Sequence, residues 1–95
     1  MMIQDSADNA FYFYLGIGKP LQKSATDLRQ FYETLKTIDI QSLEFHLYRE
    51  DFEKWLNFRG EGRLSSEVSK IRRCGEKGEP LRVILRSTVN KYLSK

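Results

Sequence analysis

The stretch of residues 42–59, SLEFHLYREDFEKWLNFR, limits the folds open to this chain more than any other. It carries the only His, His46, and the only Trp, Trp55, together with Phe45, Tyr48, Phe52 and Phe58. Phe45, Tyr48, Phe52, Trp55 and Leu56 recur at close to helical spacing, so the segment reads as helix supplying a core before it reads as a site. On one continuous helix, at about 100° per residue, those side chains line one side while Leu43 and Leu47 face roughly the other way. Asp51 is a good N-cap residue. A break is therefore expected around Glu50 and Asp51, with a short new helix running from Phe52 to Phe58.

The same spacing predicts helices on either side. Leu28, Phe31, Tyr32, Leu35 and Ile38 form one apolar stripe after the N-cap candidates Ser24 to Thr26. Leu64, Val68 and Ile71 form another, ending at Cys74 with Gly75 beyond it as a C-terminal cap. Leu81, Ile84, Leu85, Thr88, Val89 and Tyr92 form a third, with Pro80 at the first helical position. Phe11 to Leu15 has the aromatic character of a strand, but no second β-like run offers it a partner, so it is expected as a helical turn or extended segment on the bundle. The expected architecture is all-α: a single-domain bundle of four to five short helices over residues 11–95, behind a flexible leader of residues 1–10.

A chain of 95 residues can build one core and no more. With 40% hydrophobic, 13% aromatic and 31% charged residues it has the composition of a folded protein, not a disordered one. Cys74, as the sole cysteine, excludes an intrachain disulfide and a multi-cysteine zinc site, and it suits a reducing compartment, so the cytoplasm is expected. No apolar run approaches the roughly 18 residues of a membrane span, and the first residues lack the order of a secretory signal. A membrane partner is not expected.

Net charge is +3, unevenly placed. Residues 1–58 hold 6 Lys and Arg against 9 Asp and Glu, whereas residues 59–95 hold 10 against 4. The basic half could face a polyanion through Arg63, Lys70, Arg72, Arg73, Arg82, Arg86 and Lys91, although such residues commonly do no more than solvate helix faces.

The candidate chemical groups are sparse. His46 and Glu50 share a helical i, i+4 spacing, but a metal wants three or four protein ligands and there is no second His. An imidazole beside Phe45 and Leu47 is expected to be structural, hydrogen-bonded at the edge of the core. Glu44, Asp51 and Glu53 are expected to cap and solvate helices. Gly16-Ile17-Gly18-Lys19 lacks phosphate-loop spacing, and Pro20 removes a donor such a cradle would use. Cys74 sits at the wrong end of its helix for an activated thiolate. Catalytic, metal and cofactor sites are therefore all expected to be absent.

Three stretches resemble an uncharacterised, largely archaeal family of small helical domains known only as a domain of unknown function, the DUF5752 type. They are Ser24-Ala25 followed by Asp27-Leu28, the run Ser42-Leu43-Glu44-Phe45-His46, and the block Asp51-Phe52-Glu53-Lys54-Trp55-Leu56. The last is the most specific, an Asp-Phe-x-x-Trp-aliphatic signature after a His-bearing helix, and it marks His46, Asp51, Phe52 and Trp55 as structural signature residues. In that family Asn or Gly often stands where this chain has Glu50. The resemblance implies a helical fold and an archaeal setting, and it supplies no mechanism. The expected function is thus a non-enzymatic interaction module that docks on a protein partner or on itself. The alternative is sequence-independent nucleic-acid binding by the basic half.

Overall fold

The computed structural model describes residues 9–93, which form a β-hairpin followed by five helices. Strands β1 (Phe11–Gly16) and β2 (Lys19–Ala25) pair antiparallel, and helices α1 (Leu28–Leu35), α2 (Ile40–Tyr48), α3 (Asp51–Phe58), α4 (Gly62–Cys74) and α5 (Gly78–Leu93) follow in order. The all-α expectation is thereby corrected: the fold is α+β.

The correction has a clear physical origin. In β1 the side chains alternate, with Phe11 and Phe13 buried and Tyr12 and Tyr14 half-buried on the other face. Its partner carries no such alternation. In β2 only Leu21 and Ala25 turn toward the core, and Lys19, Pro20 and Lys23 sit exposed, as suits an edge strand that must not recruit another chain. The turn is Ile17-Gly18, with Gly18 at φ +70°, a left-handed conformation that glycine adopts without strain. The ladder is irregular. Phe13 lies opposite Lys23 but Tyr14 lies opposite Pro20, so Leu21 and Gln22 bulge out of β2, with Gln22 at φ +58°.

The helices form where the periodicity places them, with shifted ends. Asp27, not Ser24 to Thr26, caps α1, its Oδ1 accepting from the Gln30 N–H at 2.8 Å; Ser24 and Ala25 belong to β2. Asp39 caps α2 in the same manner through the Gln41 N–H, also at 2.8 Å. Helix α4 starts at Gly62 and ends on Gly75 at φ +74°, and α5 starts at Gly78, two residues ahead of Pro80. Asn9 and Ala10 are also placed: Ala10 is buried and the Asn9 carbonyl accepts from Trp55 Nε1 at 2.9 Å. The rest of the expected leader, residues 1–8, lies outside the described residues.

The expected break between α2 and α3 is present. Glu50 holds φ +67°, the left-handed region that Gly or Asn adopts with least strain. The break resets the helical phase. Helix α2 buries Ser42, Leu43, His46 and Leu47, while Phe45 is half-buried and Tyr48 is exposed; α3 buries Phe52, Trp55 and Leu56. Each short helix thus presents its own i, i+3, i+4 face.

These faces meet around the hairpin. Phe11 sits among Phe13, Phe31, His46, Phe52 and Trp55, with ring centroids 4.8 to 5.8 Å away, mostly edge to face. Leu64, Val68 and Ile71 of α4 and Leu81, Leu85 and Val89 of α5 complete the core.

Candidate functional site

His46 lies entirely inside the protein, at the junction of β1, α2 and α3. Its Nε2 is 2.8 Å from the backbone nitrogen of Tyr14, and its Nδ1 is 2.8 Å from Asp51 Oδ2. A backbone N–H can only donate, so Nε2 must be the unprotonated nitrogen. The proton therefore resides on Nδ1 and is donated to Asp51, which fixes both tautomer and ring plane. The imidazole thus ties β1, at the point where the ladder shifts register, to the helices beneath it. Arg49 Nε, 3.3 Å from the same Asp51 oxygen, adds a half-exposed cation to the carboxylate.

Asp51 was expected to be the N-cap of α3. The residue at that position is Glu50, with no side-chain capping bond, and the left-handed turn there lets the Asp51 carboxylate reach back to His46. With both nitrogens engaged and no solvent access, this imidazole offers no open position to a substrate. It works as an internal fastener.

Burial lowers the pKa of His46, and Arg49 adds to that; the hydrogen bond and charge of Asp51 oppose it without prevailing. The folded state therefore holds a neutral ring more strongly than the unfolded chain does. Its contribution is complete above the unfolded value of about 6.5 and is lost as pH falls through that value toward the depressed folded one. Because His46 is the only histidine, the loss is assignable. Urea midpoints are expected to fall between pH 7.5 and 5.5. Equal midpoints at the two pH values would refute this account. Glu53 does not confuse that window. It is pushed up by burial, but its bonds from Arg72 and Ser69 prevail and hold it below the ordinary carboxylate value, so its stabilisation is lost only at more acidic pH.

Glu53 was expected to be a solvated residue and is buried instead. Its carboxylate accepts from Arg72 Nε at 2.9 Å and from Arg72 Nη2 at 3.2 Å, and it also takes the Ser69 hydroxyl. This bidentate contact joins α3 to α4 across nineteen residues of sequence, a relation without any local sequence signal. Glu44 does cap, but it caps a distant helix: its Oε2 accepts from the Gly78 N–H at 2.8 Å, at the start of α5.

The seven candidate basic residues of the second half differ in what they engage within the fold. Arg72 is committed to Glu53. Arg82 binds Glu79 at 2.8 Å and also donates to the Leu35 carbonyl at 2.8 Å, closing the C-terminal end of α1. Lys91 pairs with Glu67 at 2.9 Å, beside Tyr92, which donates to the same carboxylate. Arg63, Lys70 and Arg73 are exposed on α4, without a hydrogen bond or ion pair to another described residue. Arg86, one helical turn beyond Arg82 on α5, lines a groove between α1 and α5.

That groove, of about 280 Å³, is lined by Tyr32, Val83, Arg86, Ser87 and Asn90. Sequence reading missed it, since nothing in the spacing of α5 reveals how α1 shapes its flank. Val83 at 57% exposure and Ile84 at 36% place apolar surface on the outer side of α5, where Ile84 was expected to face inward. Among the described residues no cluster of His, Cys, Asp and Glu could hold a metal ion, and no helix is long and apolar enough to cross a membrane.

No family model, curated protein or solved structure matches this chain.

Proposed function

We propose that the domain is a non-enzymatic interaction module whose partner, another protein or a second copy of the chain, sits on the outer face of α5. The observation that carries this reading is the pair Val83 and Ile84, apolar and exposed on consecutive residues, beside a groove that holds a guanidinium. The groups that invited chemistry elsewhere are engaged within the fold: His46 with Tyr14 and Asp51, Glu53 with Arg72. A single cysteine suits action in the reducing cytoplasm. The test is a photo-crosslinking side chain installed at Val83 and, as control, at the exposed Lys54 on α3. An adduct formed in cells from position 83 and not from 54 is expected. A mass of twice the chain would assign a homodimer, and a larger one another protein. Equal labelling at both positions, or none at either, would overturn the reading.

A second reading, sequence-independent nucleic-acid binding, draws support from Arg63, Lys70 and Arg73, exposed on α4 and without a hydrogen bond or ion pair to another described residue. It predicts anisotropy changes with labelled DNA or RNA that are strong near 50 mM salt and collapse near 200 mM, as released counterions require. Charge reversal belongs at Lys70 and Arg73. Reversing Arg72 would expel the partner of buried Glu53 and confuse loss of binding with loss of fold.

A further inference from the structure

Arg86 is half-buried on α5, and its Nε is shut off from solvent with no acceptor among the described residues. A buried donor on a cation is costly when unmatched, because the hydration it gave up has not been replaced. The neighbouring cations of the basic half have their acceptors: Arg72 has Glu53, Arg82 has Glu79, and Lys91 has Glu67. Arg86 alone faces an open groove, and no carboxylate lines it. Glu33, adjacent to Tyr32 on α1, is taken by Lys36 at 3.0 Å and Arg29 at 3.9 Å. Lys36 also lies 4.9 Å over the Tyr32 ring, which adds positive potential at that wall.

The other lining groups match a small planar anion. The Asn90 amide and the Tyr32 hydroxyl have no partner among the described residues, so both can donate. The Ser87 hydroxyl is already donated to the Val83 carbonyl at 3.0 Å. With Nε shut off from solvent, the two terminal Nη groups are what Arg86 can offer to a ligand in the groove; with the amide and phenol donors beside them they fit a carboxylate, which an end-on guanidinium binds through two parallel hydrogen bonds. At about 280 Å³ the groove is at the small end for a cofactor or metabolite pocket, and the exposed Val83 lines it, with the apolar Ile84 next to Val83 in sequence. A side chain presented by a protein suits both features.

We propose that the α1–α5 groove receives the carboxylate of an Asp or Glu side chain from a partner protein, seated on Arg86, with apolar neighbours of that residue covering Val83 and Ile84. This rests on the interaction-module reading and gives its partner a chemistry. The test follows the Arg86 Nε–H and Asn90 side-chain NH₂ resonances of the ¹⁵N-labelled full chain. It uses four probes at constant ionic strength: sodium acetate, sodium chloride, sodium phosphate, and blocked Leu-Glu-Leu beside its Leu-Gln-Leu twin. Acetate is expected to move both resonances saturably and chloride to leave them in place. The Glu peptide should bind at least several-fold tighter than acetate, and the Gln peptide should lose that gain. Arg86→Lys should abolish the acetate response while leaving the rest of the spectrum unchanged.

Several results would overturn the proposal. They are an acetate response no larger than that of chloride, phosphate binding tighter than acetate, which would make this a polyanion site, or a Glu peptide no tighter than acetate. If these probes fail while position 83 still crosslinks a partner, the carboxylate chemistry falls and the interaction reading stands. If acetate and the Glu peptide bind but no crosslink forms in cells, the interaction reading falls instead.

Discussion

Replacing His46 by Ala is expected to lower folding stability by about 3–5 kcal/mol, a large share of what a domain of this size possesses. Three losses coincide. The Asp51 carboxylate, only 7% exposed, loses the donor that offsets its burial. The Tyr14 N–H loses its acceptor, at about 1–3 kcal/mol for an orphaned buried donor. A cavity opens against Phe11, Phe45 and Phe52, whose rings lie 4.8 to 5.7 Å from the imidazole. Graded variants separate these contributions. Asp51→Asn keeps an oxygen that can accept from Nδ1–H and is expected to cost about 1–2 kcal/mol. Arg49→Ala removes a half-exposed cation and is expected to cost under about 1 kcal/mol. Urea unfolding followed by circular dichroism reads all three. A His46→Ala protein within about 1 kcal/mol of the parent would show that the imidazole is not the fastener described.

The sequence reading treated the histidine as structural, and that was open to it because one imidazole with no second ligand has few other uses. The partner was not legible. Tyr14 is thirty-two residues away, and its N–H meets the imidazole where the ladder shifts register and β2 bulges. That geometry depends on a strand that local pattern does not reveal.

Helices α1, α4 and α5 were legible for the opposite reason: each buries a single stripe at 3.6-residue spacing, and Gly75 closes α4 as a C-terminal glycine does, although the Asp27 cap of α1 went unread. The hairpin was hidden because β2 pairs through its backbone and offers the core only Leu21 and Ala25. The buried face of α2 was misjudged because Phe45 and Tyr48 were set on the same helical wheel as Phe52 and Trp55. Once Glu50 turns left-handed, positions before and after it have no common phase. The polar links are non-local too. Glu53 with Arg72, Glu44 with the start of α5, and the groove at Arg86 all depend on how separate elements come together. What periodicity reports is which face of one element is apolar, not which polar group waits on the next.

The second large effect is expected at Phe11. Truncation to Ala should cost about 3–5 kcal/mol, as removal of a fully buried aromatic ring does. By sequence this residue belongs to an isolated aromatic segment attached to a bundle; in the fold it is the ring around which the bundle closes. Phe31 of α1, Phe52 and Trp55 of α3 and His46 of α2 all pack on it, so the loss reaches three helices at once. A two-stranded hairpin has little stability of its own, and with Phe11 gone Phe13 would be the one fully buried ring left on β1. Ile17→Ala, at the exposed tip of the same hairpin, should change stability by no more than about 0.5 kcal/mol. Amide exchange distinguishes two forms of failure. If the hairpin is integral to the core, Phe11→Ala accelerates exchange in α1, α2 and α3 together with β1. Loss of protection confined to β1 and β2 would mean that the five helices stand alone and the strands only lie upon them. The shared contacts of Phe11 require the first outcome, because the side chains that would have to close such a helical core are the ones now packed against this ring.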